Sequence, residues 1–106
     1  MVSLEELKRL DIRVAQVLEA KAHPQADKLL LLKIDTGEKQ KQIVAGIKNF
    51  YKPEELPGKQ IVVIDNLEPA MIRGEPSEGM LLAAQDAQGI SLLVPERPVK
   101  QGSQVR

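Results

Sequence analysis

Apolar residues recur along this chain with two spacings, and the change between them marks its first boundary. Leu4, Leu7 and Leu10 lie three apart, the spacing of one helix side. In front of them Ser3-Leu4-Glu5-Glu6 forms a capping box: the Ser3 hydroxyl accepts from the amide of Glu6, and the Glu6 carboxylate accepts from the amide of Ser3. A short helix over residues 3–10 is expected, with Lys8 and Arg9 suited to its C-terminal dipole. From Asp11 the period becomes two. Ile12, Val14, Leu18 and Ala20 are expected to face one way, with Asp11, Arg13, Glu19 and Lys21 facing the other. Gln16 and Val17 interrupt that alternation, which predicts a bent or bulged first strand serving both halves of a small barrel.

Further strands follow in short order. His23-Pro24-Gln25-Ala26-Asp27 reads as a turn, Lys28 to Asp35 as the second strand, and Gln42 to Ala45 as the third, after a turn at Thr36-Gly37-Glu38. Pro53-Glu54-Glu55 places proline at a helix start with acids in its first turn. Gln60 to Asp65, Met80 to Gln85 and Ile90 to Val94 supply the remaining strands, with a hairpin turn from Asp86 to Gly89. A helical insertion between the third and fourth strands suits the oligonucleotide-binding barrel. The fold class predicted is therefore all-β: a five-stranded barrel over 11–94, with a short helix between strands 3 and 4. The helix over 1–10 precedes it, and a C-terminal extension over 95–106 follows. The runs Leu29-Leu30-Leu31-Leu32 and Ile61-Val62-Val63-Ile64 are apolar on both strand faces. One face fills the barrel; the other needs cover from the N-terminal helix, the C-terminal tail or a second copy of the chain.

At 106 residues and 42% apolar content the chain is one domain with a core of its own. With no cysteine there is neither a thiolate metal site nor a redox centre. Glu5 and Glu6 stand where a signal peptide would have basic and apolar residues, so a cytoplasmic location without a membrane anchor is the expectation. Fifteen basic and fifteen acidic residues balance. Broad electrostatic adhesion to nucleic acid is thereby excluded, and any such site must be a local patch. Phe50 and Tyr51 are the only aromatic residues, which removes the stacking platform used to hold single strands. An RNA ligand would be read by its folded shape and backbone. His23 is the only histidine; it reads as a surface turn residue, and no metal or cofactor is expected.

The candidate chemistry concentrates between Asn66 and Ala84, read as a tight polar loop between strands. Gly74 and Gly79 flank Ser77 there, and Pro69 and Pro76 stiffen the approaches. By position alone Lys28 is either a solvated strand-end lysine or a phosphate contact, and Lys33 marks an outer strand face. Ser77 either caps its own turn or contacts ribose or phosphate, and Met80 either plugs the barrel or packs on a sugar or base. Arg73, the one basic residue of the loop, has the planar donors to grip a phosphate. Against it stand Glu68, Glu75 and Glu78.

Three segments in order, DIRVAQVLEAKAHPQADKLLLLK (11–33), IVAGIKNFYKPEELPG (43–58) and NLEPAMIRGEPSEGMLLAA (66–84), resemble the tRNA-binding domain. That domain occurs as free-standing small proteins, as the C-terminal part or β subunit of methionyl-tRNA synthetases, in export-related chaperones and in synthetase cofactors. The resemblance implies a tRNA-binding module without catalytic activity of its own, serving a methionyl-tRNA synthetase. It implies contacts to tRNA by Lys28, Asn66, Ser77 and Met80; Arg73, by its own donor chemistry, and more weakly Lys33, by its position, are added as candidates. It also implies a homodimer, with an interface expected to draw on Leu4, Leu7, Leu10, Leu92, Val94 and Val99. A dimeric chaperone module holding extended polypeptides is the alternative. The acidic residues of the loop depart from the family pattern: either they point away from the ligand or this member binds less tightly.

Overall fold

A computed structural model of the chain describes residues 1–106. The predicted capping box is present in full: Ser3 Oγ accepts from the Glu6 amide and Glu6 Oε1 accepts from the Ser3 amide, each at 3.1 Å. It starts α1 (Leu4–Lys8). Leu4, Leu7 and Leu10 nevertheless stay exposed, so the helix does not cover the barrel.

The barrel is built from β1 (Ile12–Ala22), β2 (Leu30–Asp35), β3 (Gln40–Ala45), β4 (Gln60–Ile64) and a short β7 (Met80–Leu81). They form a five-stranded antiparallel sheet in the order β3-β2-β1-β4-β7. β1 serves both halves, pairing with β4 through Ile12 to Gln16 and with β2 through Gln16 to Ala22. Its register slips between Val17 and Glu19, leaving Leu18 as the extra residue. The bulge was expected, but its effect on phase was not. Ala15 and Val17 face the core before it and Ala20 packs there after it, while Val14 is buried outside the core cluster. Ile12 and Val14 therefore do not share a face with Ala20, a correction to the expected alternation, because one inserted residue reverses which parity points inward.

The core joins Ala15 and Val17 to Leu30, Leu32 and Ile34 of β2, Ile43 and Ala45 of β3, and Ile61 and Val63 of β4. The chain between β3 and β4 adds two plugs. Ile47 is one, and Leu56, fully buried, follows a single 3-10 turn (Pro53–Glu55). This turn is the helix expected at Pro53. Leu92, from the hairpin of β8 (Ala83–Asp86) and β9 (Gly89–Leu92), completes the cluster. Its amide donates to the Tyr51 hydroxyl at 3.0 Å. Leu92 thus fills the core of its own chain, a correction to its expected place on a dimer surface.

One connected set of polar bonds links β3, the end of β4 and the start of β1. Lys41 faces inward from β3 and its ammonium lies 2.7 Å from Asp65 Oδ1, while donating to the Asp65 carbonyl at 2.8 Å. Asp65 also lies 3.8 Å from Arg13 Nε. Arg13 in turn donates to both Asp11 oxygens at 2.9 Å, and this hydrogen bond is the main cause holding the guanidinium pKa above its ordinary value. The C-terminal tail then returns along the free edge of β1. The Val14 amide donates to Ser103 O, Gly102 N donates to Val14 O, and Val105 N donates to Ile12 O.

The tail docks because two glycines allow backbone to touch backbone. A Cβ on Gly102, whose φ is +88°, would lie 2.7 Å from the Thr36 carbonyl and 3.0 Å from the Gly37 Cα. Gly102→Ala is expected to cost about 2 kcal/mol, from left-handed strain plus the clash. Urea unfolding measures the loss. Faster hydrogen exchange at the Val14 and Val105 amides would locate it in the tail.

Candidate nucleic-acid interface

The segment from Asn66 to Ala84 is not a plain loop. It contains its own hairpin, β5 (Ala70–Ile72) and β6 (Glu75–Ser77), turning at Arg73 and Gly74. Both turn residues have positive φ, at 52° and 88°, as a two-residue type I′ turn requires. Strands of three residues, one of them containing Pro76, are too short to display a period, which is why the pattern concealed them. The predicted strand from Met80 to Gln85 is likewise split at Leu82. There the Leu82 amide donates to Val62 O while its carbonyl accepts from Leu93 N, so one residue bridges β4 and the β8–β9 hairpin.

The β5–β6 hairpin leans against the free edge of β3, and Ser77 fastens it. The Ser77 hydroxyl accepts from the Val44 amide at 2.9 Å and donates to the Gly79 carbonyl at 3.1 Å. Glu78 N then donates to Gln42 O, bringing the sheet close to closure. Ser77 is only 4% exposed. Both its donor and its acceptor roles are filled inside the fold, so it shapes the site as the bolt of its wall. Ser77→Ala is expected to lower stability by about 1–2 kcal/mol, because the Val44 amide loses its partner in a partly buried place. Thermal unfolding reads that loss.

Between hairpin and barrel runs a cleft of about 360 Å3. Ala70 and Ile72 of β5 form its outer wall, Ser77 and Met80 one side, and Val44 and Gly46 the barrel side. Met80 is 47% exposed beside it and does not plug the barrel. At the Gly46 end, the Lys48 amide donates to the Lys28 carbonyl. That bond sets two lysines side by side, one exposed and one half-buried. Lys28 lies in the turn before β2, two residues short of the strand it was expected to open. Lys48 is linked to Lys28 only through this backbone pairing. No sequence period signals such a pairing.

The other expected residues divide. Asn66 is turned to the helix side: its Oδ1 accepts from the Asp11 amide and its Nδ2 donates to the Arg9 carbonyl, each at 2.8 Å. It clamps the base of the segment, and the neighbouring Leu67 reaches the cleft. Arg73 is exposed at the hairpin tip and donates from Nη2 to the Gln25 carbonyl at 3.2 Å. Lys33 borders a separate groove with Glu19, Lys21 and Glu78 on the outer face of β1 to β3. The acidic residues divide too. Glu75 accepts from Gln42 Nε2 and Glu78 borders the other groove, which leaves Glu68 as the carboxylate bordering the cleft.

A residue that sequence reasoning underrated is His23, which is 4% exposed and not a surface turn residue. Its Nδ1 accepts from the Gln25 amide at 2.9 Å, so Nε2 carries the proton and donates to the Ile72 carbonyl at 3.1 Å.

Comparison with known proteins bears on this architecture directly. Residues 12–104 match the model of the family described as "Putative tRNA binding domain". The chain belongs to this family. The match runs from β1 to the tail strand and takes in the whole cleft. Among relatives, the methionine--tRNA ligase of Thermococcus kodakarensis is 49% identical over 105 residues, covering 99% of this chain and 14% of that protein. The methionine--tRNA ligase of Nanoarchaeum equitans is 48% identical over 106 residues, again 14% of its length. The chain therefore spans about one-seventh of these curated relatives. Among solved structures, a MetRS related protein from Pyrococcus horikoshii superposes with a TM-score of 0.93 at 31% identity, covering 100% of this chain and 98% of that one. The chaperone CsaA from Bacillus anthracis str. Ames gives 0.91 at 33%, covering 100% and 99%. No helix of this tRNA-binding domain is long and apolar enough to cross a membrane.

Proposed function

We propose that this domain binds tRNA by its folded shape, at the cleft between the β5–β6 hairpin and the barrel. The observation that carries the reading is the family match across the entire barrel, joined to a cleft bordered by an exposed Met80, with Lys48, two residues beyond the lining Gly46, bonded through its backbone to Lys28. Lys28 and Lys48 neutralise backbone phosphates, and Met80 packs on a sugar or base face. Arg73 adds a donor at the hairpin tip. Ser77 and Asn66 hold the wall and its base in place. Shape reading fits a protein whose two aromatic residues lie away from the cleft: Tyr51 packs against the core, and Phe50 packs against Gly89.

The resemblance to methionine--tRNA ligases supports a service role. The domain holds tRNA near a catalytic body on another part of the chain or on another subunit, in the cytoplasm, and lowers the effective Michaelis constant without performing the reaction. It works as a homodimer, whose interface draws on exposed Leu4, Leu7, Leu10 and Val94 with half-buried Val99. Two copies raise avidity where one tRNA reaches both patches. A monomer mass in sedimentation at micromolar concentration would count against the dimer.

A gel-shift titration with folded tRNA and a length-matched unstructured RNA tests the reading, which expects a clear preference for the folded molecule. A second reading, a dimeric chaperone module, is favoured by the likeness to CsaA. It is the one supported by equal or absent binding to both RNAs together with suppressed aggregation of an unfolded polypeptide. Because Glu68 is the carboxylate beside the cleft, Glu68→Gln is expected to raise tRNA affinity about threefold at low salt, as like-charge repulsion of a phosphate is removed.

A further inference from the structure

The hairpin that walls the cleft is held unevenly. Its β6 strand is tied to β3 by Gln42, whose Nε2 donates to Glu75 Oε1 and to the Pro76 carbonyl, and by the Val44 to Ser77 bond. The β5 strand, which carries Ala70 and Ile72 of the cleft wall, has no such seam. Beyond the hairpin's own ladder, β5 and its turn make two hydrogen bonds to the rest of the protein. One is His23 Nε2 to the Ile72 carbonyl, and the other is Arg73 Nη2 to the Gln25 carbonyl. Both end on the turn between β1 and β2. That turn is itself braced by the His23 amide donating to Leu29 O and by the Gln25 amide donating to His23 Nδ1.

From this geometry we infer that His23 is the positioning residue of the tRNA face: in its neutral Nε2–H form it latches the outer wall of the cleft, and its protonation releases that wall. A backbone amide can only donate, so the Gln25 contact requires a bare Nδ1. A proton added there keeps the Nε2 donor but sets N–H against the Gln25 amide and places a charge on a ring 4% exposed, so the ring is driven from the seat that aims it at Ile72. Nothing nearby compensates. Lys21, Asp27 and Lys28 lie on the β1–β2 side, and Arg73 and Glu75 on the hairpin. None of them forms an ion pair with the ring, and Arg73, bonded to Gln25, adds like charge. The latch therefore requires the neutral ring, and acid is the condition that opens it.

The inference rests on the tRNA-binding reading for its consequence, but the latch itself can be observed without RNA. Nitrogen-15 spectra of the imidazole in the intact domain are expected to show the neutral Nε2–H tautomer at about pH 7.5. The Gln25 amide is expected to exchange faster as the ring becomes protonated. A predominant Nδ1–H tautomer, or Gln25 exchange that ignores ring protonation, overturns the latch. In gel shifts with folded tRNA, wild-type affinity is expected to fall about tenfold between about pH 7.5 and the acid pH at which the spectra show the ring protonated, the equivalent of one partly buried hydrogen bond. His23→Gln, which keeps a donor toward Ile72 but cannot titrate, is expected to bind more weakly than wild type at pH 7.5. Its affinity should change less than about twofold over the same range. Equal pH profiles for the two proteins overturn the inference. Failure of the wild type to bind tRNA at any pH would instead remove the functional reading, leaving the latch to be decided by the spectra.

Discussion

Lys41→Met is expected to lower the stability of the domain by about 3 kcal/mol, or roughly 15 °C in melting temperature. The reason is the company Lys41 keeps. Its side chain is 8% exposed, its ammonium lies 2.7 Å from Asp65 Oδ1, and it donates to the carbonyls of Asp65 at 2.8 Å and Glu78 at 3.4 Å. Removing the cation leaves a carboxylate 16% exposed, with Arg13 at 3.8 Å as its remaining counter-charge. It also strips the donor from two carbonyls where the barrel closes. Methionine replaces most of the apolar volume, so the loss reports charge and hydrogen bonding more than a cavity. The double variant Lys41→Met/Asp65→Leu should be less destabilised than Lys41→Met alone, since the orphaned charge goes with its partner. Denaturant unfolding of the three proteins measures both differences. A single-variant loss within about 0.5 kcal/mol would show that the pair carries no stabilising weight.

The second large effect concerns binding. Lys28→Ala combined with Lys48→Ala is expected to weaken tRNA binding about tenfold and to reduce the slope of log affinity against log salt by between about one and two. The pairing of the Lys48 amide with the Lys28 carbonyl joins the two residues two positions beyond Gly46 of the cleft, where both cations are proposed as phosphate contacts. They act as neighbours, so the double variant should show more than either single change. Lys33→Ala is the control, since Lys33 borders the other groove with Glu19 and Glu78. Titrations at several salt concentrations separate a lost phosphate contact from a general loss of folding, because a contact changes the slope.

Much of this architecture was legible in the sequence, for reasons tied to particular residues. Ser3 and Glu6 announced the helix start because a capping box is a local device that needs no tertiary partner. The interruption at Gln16 and Val17 announced the bulge. The long apolar runs gave β2 and β4 because every second residue of a closed barrel meets the core. What stayed hidden depends on contacts between distant parts. The phase of β1 turned on which single residue the bulge left out. The β5–β6 hairpin is made of three-residue strands held by Gln42, Val44 and His23, which come from elsewhere in the chain. Leu92 looked like surplus surface in a short apolar run, yet the β8–β9 hairpin folds it into the core beside Tyr51.

The candidate site follows the same division. Residue types together with the family resemblance pointed to Lys28, Asn66, Arg73, Ser77, Met80 and Lys33, but not to the separate jobs the fold gives them. Ser77 and Asn66 place both donors and acceptors in internal bonds, Met80 stays open beside the cleft, Lys28 is exposed in the turn before β2, Arg73 ties the hairpin tip to the β1–β2 turn, and Lys33 lies in another groove. A polar side chain in a loop has the same chemistry whether it meets a ligand or a neighbouring amide. Only the position of the partner decides which.

Hydrogen–deuterium exchange of the domain, alone and with saturating folded tRNA, tests most directly that the cleft is where tRNA binds. Added protection is expected in 46–49 and 67–81, which line or adjoin the cleft, and in 27–30, bonded to Lys48, with little change along the outer groove at 19–21. Protection confined to the N-terminal helix and the C-terminal tail, with the hairpin exchanging as in the free protein, would contradict it.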